Sequence, residues 1–536
     1  MQGVPNSSTL RLPEVVARPV PRSIGDRLIG IASRATPWRL AALQLVTAVV
    51  MAITALAAPI ARPGFSGFAY DTNGPGAYRR IALWQDSLGR FGAWTERLTV
   101  EPDVYVWTIR LTFVALAVLQ IIAVVACLRP REGDESRPVW HWLVGPALTS
   151  AAFLLYPPIC SDVFYYATSG LIANEGGNPY IQPLRDFQSS LPLLRYNDWP
   201  FITSPYGPLW TSICRGVMSI TGTSPVAAVL GFRLLAIASA FGLAGVTFLA
   251  AKRLTEDRRL HIAALVVVLW EPALLFESST GAHNDALIMM LALGGLLLVT
   301  SGRRGGIRGG LVFITLSALL KYVTLPLLVF AALWRLRELK QGTPFQQIVK
   351  EWVIDGLTVA AVIGLSFAPY WDGYRTLSSL TQQPMRGVSG SLWQIPHSII
   401  NGLSSHHTTA RIEDVLGYVT LVGLIPVFLI TVQRLGHAML TGKSERFFLT
   451  AQLAAWALAG FVLATIPVDT HAWYVIWAIA PVALAFVAWQ EGLFRNPAHG
   501  DEESPTIDHQ PRVPIWFMLY LIWDLFNLMM YHTRVV

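Results

Sequence analysis

Residues 139–158 read VWHWLVGPALTSAAFLLYPP, and Ile159-Cys160-Ser161-Asp162-Val163-Phe164-Tyr165-Tyr166 follow at once. The first run contains no Asp, Glu, Lys or Arg. About 20 such residues cross the hydrocarbon core of a bilayer as a helix. Asp162 therefore stands where a spanning helix leaves the membrane. Aromatic residues and then Asn174-Glu175-Gly176-Gly177-Asn178-Pro179-Tyr180 come after it. A carboxylate in that position suits a general base that meets a sugar-sized, polar substrate at the membrane surface.

Runs of the same kind recur at 38–60, 104–128, 225–250, 260–277, 284–301, 352–370, 415–434, 446–466, 472–490 and 513–531. The chain has 536 residues, 53% of them hydrophobic and 14% charged. A soluble domain carries about 25% charged residues. These values predict an all-α, polytopic integral membrane protein. The expected count is about eleven full spanners plus a half-helix hairpin, about 13 helices in all. The net charge of +7 calls for no nucleic acid, because cytoplasmic loops of membrane proteins collect Lys and Arg. Cys127, Cys160 and Cys214 lie too far apart in sequence for a disulfide framework or a metal motif.

Loop charge sets the expected topology. Residues 1–37 read as a cytoplasmic tail rather than a cleaved leader. The basic clusters at 129–137, 252–259, 303–308 and 443–446 then fall inside. Residues 38–128 form an N-terminal helical pair with an outer loop at 61–103. A core at 129–370 includes the outer loop 159–224. Residues 371–490 add helices and a third outer loop, 371–414, and residues 491–536 hold a cytoplasmic linker and the last spanner. Two stretches resist simple crossing. Residues 206–221 are short and read as a helix lying at the outer interface. The run 309–334 reads as two half-helices with a tip at 321–324, which keeps Arg335, Arg337 and Lys340 inside.

This arrangement gathers polar residues at the outer face. Ser161 or Asp162 can simply cap a helix, and the same holds for Asn284 and Asp285 in Gly281-Ala282-His283-Asn284-Asp285-Ala286. Those three polar residues can equally bind a sugar, a phosphate or a metal. Lys321 in an apolar run either snorkels or meets an anion, and a lipid phosphate is such an anion. Asp469 and His471 project from a tight turn between two spanners. Arg386 sits in the third outer loop. Arg233 and Glu271 fall at similar depth on adjacent helices, which predicts a buried ion pair.

In order along the chain, Ser161-Asp162, Asn178-Pro179-Tyr180, Pro205–Leu209, Gly281–Ala286, Leu319–Pro326 and Ala472–Trp477 resemble the GT-C glycosyltransferases. The match is closest to the actinobacterial α-1,6-mannosyltransferases of lipomannan assembly and runs over residues 139–490. The resemblance implies a GT-C fold in a bacterial plasma membrane, with interfacial helices in its extracytoplasmic loops. It implies an inverting transfer of a sugar, mannose by analogy, from a polyprenyl-phosphate donor to a glycan or glycolipid hydroxyl. Asp162 is the implied base. Lys321, with His471 or Arg386, would hold the donor phosphate, and Tyr165, Tyr166, Tyr206, His283, Asn284, Asp285 and Asp469 would line the substrate. Two departures stand out. The acid follows the third spanner rather than the first, which leaves Asp71, Glu101 and Asp103 as rivals. No Asp-x-Asp lies in the Asp162 loop, which favours a reaction without a cofactor while leaving a divalent cation open. A transporter or flippase for lipid-linked sugars is the competing reading.

Overall fold

The computed structural model describes residues 35–57, 75–98, 100–129, 138–158, 160–187, 191–339, 343–380, 471–492 and 513–532, with a few single positions between 426 and 433. These residues are mainly helical. The principal helices are α1 (Pro37–Ala57), α2 (Pro75–Ser87), α3 (Arg90–Glu96), α4 (Pro102–Leu128), α5 (His141–Phe153) and α6 (Asp162–Asn174). They continue with α7 (Pro208–Thr221), α8 (Pro225–Ala251), α9 (Arg258–Leu269), α10 (Pro272–Phe276), α11 (Asp285–Val299), α12 (Gly306–Ala318), α13 (Leu327–Glu338), α14 (Phe345–Phe367), α15 (Ile476–Gln490) and α16 (Ile515–His532).

Five helical stretches among the described residues are long and apolar enough to cross a membrane: α1, α4, α8, α14 with its extension to Tyr370, and Ala472–Gln490. A sixth is reached if α9 and the segment Pro272–Gly281 count as one span bent by 55°. The expected run 260–277 is thus broken at Trp270-Glu271, where Pro272 follows and cannot continue the hydrogen-bond ladder. The shorter helices α11, α12 and α16 are apolar too. The spanners expected at 415–434 and 446–466 lie outside the described residues.

The run 309–334 breaks where the sequence predicts. Helix α12 ends at Ala318, a single 3-10 turn covers Tyr322–Thr324, and α13 begins at Leu327. The chain turns back there, because Arg308 before the break and Arg335 after it both pair with Asp355 on α14, at 3.4 and 2.6 Å. Helix α7 has 14 residues, about 21 Å at 1.5 Å per residue, and packs along α6 instead of spanning. Gly170 of α6 lies so close to the Cys214 backbone of α7 that a Cβ would overlap it. Small residues also let α11 and α12 touch, since a Cβ on Gly310 would meet the Gly295 carbonyl at 2.5 Å.

The predicted Arg233–Glu271 ion pair does not form. Arg233 donates to the Thr280 carbonyl at 2.8 and 3.1 Å and to the Leu154 carbonyl at 3.2 Å, and it stacks on Trp84. Glu271 caps α10 by accepting from the Ala273 and Leu274 amides at 3.0 and 2.5 Å. The kink accounts for the mismatch: it makes Glu271 the cap of a new helix start, while main-chain carbonyls of Thr280 and Leu154 take the Arg233 guanidinium.

One backbone link positions the site. The α12–α13 break frees the carbonyls of Leu319 and Leu320, and the amides of Leu209 and Gly207 bond to them at 3.1 and 3.0 Å. A Cβ on Gly207 would overlap the Leu319 carbonyl. Gly207→Ala is expected to cost about 2–3 kcal/mol, read as a lower thermal unfolding midpoint of the detergent-solubilised protein. An unchanged midpoint would remove this link from the account.

Candidate active site

Asp162 opens α6, and its side chain keeps 17% exposure. Its Oδ2 accepts a hydrogen bond from the Tyr206 hydroxyl at 3.1 Å. The Tyr166 hydroxyl lies 3.3 Å from that of Tyr206. Burial first, and the Asp162 charge second, hold the Tyr206 phenol well above its ordinary range. Tyr206 therefore stays protonated through the physiological range and serves as a donor. Tyr165 is buried beside the same ring.

The next element is unusual in backbone. Glu277–Gly281 forms a π turn, and Ala282 follows at φ 58°. π turns recur at functional sites, and a left-handed alanine is uncommon. This turn folds His283 back over Glu277, leaving its Nε2 3.4 Å from Glu277 Oε2 and its Nδ1 3.9 Å from Asp162 Oδ2. The imidazole stacks on Trp473, ring centroids 3.6 Å apart and planes 15° apart. Trp473 also stacks with His471 at 4.3 Å. His283 is 1% exposed, so it faces two carboxylates rather than open space.

Lys321, at the break between α12 and α13, pairs with Asp285 Oδ1 at 3.2 Å. The indole of Trp477 donates to the same oxygen at 2.6 Å. The ammonium also lies over the Tyr474 and Trp477 rings, 4.2 and 5.0 Å from their centroids. An ammonium has three donors, and this side chain is 19% exposed, so the pair with Asp285 leaves capacity for an anion. Asn284 is buried with neither amide atom hydrogen-bonded, and Asp285 Oδ2 likewise has no hydrogen-bond partner.

The structure thus joins Asp162, Tyr165, Tyr166, Tyr206, His283, Asn284, Asp285, Lys321 and His471 in one region. Glu101 and Asp103 are exposed at the start of α4, so of the described rivals it is Asp162 that contacts the cluster. Asp71, Arg386 and Asp469 lie outside the described residues. Glu277 and His532 were not anticipated, and Trp473 and Trp477 entered only through the Ala472–Trp477 motif, without a site role. Glu277 carried the usual signal, an acid within the apolar run Leu274-Leu275-Phe276-Glu277. Its partnership with His532, whose Nε2 lies 2.7 Å from Glu277 Oε1, spans 255 positions and left no local trace. Among the described residues no three His, Cys, Asp or Glu side chains gather as a metal site.

Fold and site together define a polytopic helical membrane protein with an acid, an imidazole and a lysine assembled at one end of its helices. Residues 74–337 match the family model described as "Alpha-(1->6)-mannopyranosyltransferase, N-terminal domain". The chain is 27% identical over 352 residues to alpha-(1->6)-mannopyranosyltransferase A of Mycobacterium tuberculosis, covering 62% of this chain and 63% of that protein. It is 30% identical over 388 residues to a probable alpha-(1->6)-mannopyranosyltransferase of Mycolicibacterium smegmatis, covering 63% of each. Against alpha-(1->6)-mannopyranosyltransferase B of Corynebacterium glutamicum it is 24% identical over 397 residues, covering 65% of this chain and 58% of that one. The chain therefore spans somewhat under two thirds of the length of the curated relatives it matches. It is a relative of the actinobacterial α-(1→6)-mannopyranosyltransferases, as the motif order implied. The family match begins at residue 74, ahead of α4, so that helix lies within it. No solved structure matches the chain.

Removing Lys321 alone leaves the Asp285 carboxylate 1% exposed and without its cation. Lys321→Met is expected to destabilise by about 3 kcal/mol, and adding Asp285→Asn to recover part of that loss. Thermal unfolding of the single and double variants measures both; additive losses would refute the coupling.

Proposed function

We propose that the chain is a membrane glycosyltransferase that moves mannose from a polyprenyl-phosphate donor to a hydroxyl of a glycan or glycolipid. The observation that carries this reading is the placement of Asp162 and Lys321 in one side-chain cluster, inside the stretch that matches the mannopyranosyltransferase family. A partly exposed carboxylate, positioned by the Tyr206 phenol, takes the proton of the acceptor hydroxyl. That hydroxyl attacks the anomeric carbon from the face opposite the phosphate, so the configuration inverts. Lys321 offers its remaining N–H groups to the charge that builds on the departing phosphate. Holding acceptor and donor in one cleft supplies the proximity contribution.

Charge distribution supports an extracytoplasmic site. Helix α11 runs from Asp285 at the site to Val299, and the hydroxyl of the next residue, Thr300, accepts from Arg253 at 3.0 Å. Arg303, Arg308 and Arg335 lie at that same far end. Basic residues mark the cytoplasmic side of membrane proteins, so Asp162 faces away from it.

The reaction is proposed to run without metal. Oδ1 of Asp285 is engaged by Lys321 and Trp477, and Oε1 of Glu277 by His532. In membranes supplied with radiolabelled mannosyl phosphoryl polyprenol and a synthetic mannoside, Asp162→Asn should lower transfer by at least about 100-fold while the protein still inserts. Wild-type transfer by that variant would sink the assignment. Saturating chelator should leave wild-type transfer unchanged, and chelator-sensitive transfer would overturn the metal-free part.

A further inference from the structure

A line of four side chains leads away from Asp162. Its Oδ2 stands 3.9 Å from His283 Nδ1. The other ring nitrogen, Nε2, stands 3.4 Å from Glu277 Oε2. The other oxygen of Glu277, Oε1, lies 2.7 Å from His532 Nε2. Each inner group is entered at one atom and left at another, which is the arrangement proton hopping requires. Both inner members are dry: His283 and Glu277 are 1% exposed. Both outer members reach the surface, since the Asp162 and His532 side chains are each 17% exposed. The stack on Trp473 fixes the plane of the His283 ring, and neither ring nitrogen is hydrogen-bonded in this structure. The line crosses three elements, α6, the π turn and the end of α16. Around it, Glu277 also faces Tyr156, Glu271 and Asp524, and Asp162 faces Tyr166, Tyr206 and Lys321.

We propose that Asp162, His283, Glu277 and His532 form a proton relay that empties the base after each transfer. The proposal rests on the reading of Asp162 as the base. As the acceptor oxygen bonds to the anomeric carbon, the bond from that carbon to the phosphate oxygen breaks and its electron pair leaves with the phosphate. The acceptor proton moves to Asp162 and on to His283 Nδ1. The imidazole releases its Nε2 proton to Glu277 Oε2, the protonated carboxyl turns to present that O–H to His532 Nε2, and His532 releases the proton at the surface. His283, Glu277 and His532 act through Asp162 and are positioning residues. The two longer gaps exceed N–H···O reach by less than about 1 Å, and catalytic contacts commonly tighten when substrate is bound.

The test uses the full chain with mannosyl phosphoryl polyprenol and a synthetic mannoside acceptor. Glu277→Gln and His532→Gln keep the side-chain shape. They should lower kcat by about 10- to 100-fold with the donor KM unchanged, and raise the solvent deuterium isotope effect on kcat. His532→Ala should regain several-fold activity in added imidazole, which a merely structural histidine would not show. Wild-type kcat and isotope effect in both Gln variants, or loss in His532→Ala that imidazole does not relieve, would overturn the relay. If Asp162→Asn is inactive while the Gln variants run normally, the relay fails and the base assignment stands. An active Asp162→Asn removes both.

Discussion

The site depends on two hydrogen bonds between main-chain atoms. A helix broken at membrane depth leaves carbonyls that no lipid can satisfy. Here the Leu319 and Leu320 carbonyls are met by the amides of Leu209 and Gly207. The chain can turn back at Lys321 only because another loop supplies those donors. That loop carries Tyr206, which bonds Asp162. One solution to a solvation problem therefore fixes the distance between the carboxylate and the lysine. Gly207 is required there because any side chain would strike the neighbouring Leu319 carbonyl.

Charge at the other end of the bundle has a different purpose. Helix α14 exposes most of its surface, and Asp355 is its buried residue. That carboxylate holds Arg335 in a two-point contact at 2.6 and 3.0 Å and also meets Arg308. A planar guanidinium suits such paired contact better than lysine does. Glu351, one turn earlier, contacts both arginines as well. These pairs tie α12, α13 and α14 together where little apolar burial is available to do so, and they close the hairpin whose tip presents Lys321.

How much of this was legible in the chain follows from the physics of each signal. Apolar length and loop charge gave the membrane class, the break near Lys321 and the short helix α7, because solvation acts on local composition. The end of α5 before Pro157-Pro158 gave Asp162 its place for the same reason. The Arg233–Glu271 pair was misread because depth counting assumes a continuous helix, and Pro272 bends this one. Among the described residues, hydropathy likewise did not register the bend at Pro272 or the early end of α5. The Glu277–His532 contact and the stacking of His283 on Trp473 join elements hundreds of residues apart, and no periodicity or spacing records such a meeting.

The three acids at the site share a residue class yet do unlike work, and their neighbours decide which. Asp285 is nearly sealed and takes both a lysine and an indole N–H on one oxygen, so it serves to hold a cation in place. Glu277 lies between two imidazoles, so charge on it is answered from both sides. Asp162 alone combines a single neutral donor with an exposed edge. A carboxylate that is fully paired is a poor base because its lone pairs are occupied, and one that is fully exposed is dispersed by water. Environment, rather than residue type, separates base from anchor, and among the described acids of this cluster it is the ground for proposing Asp162 as the base.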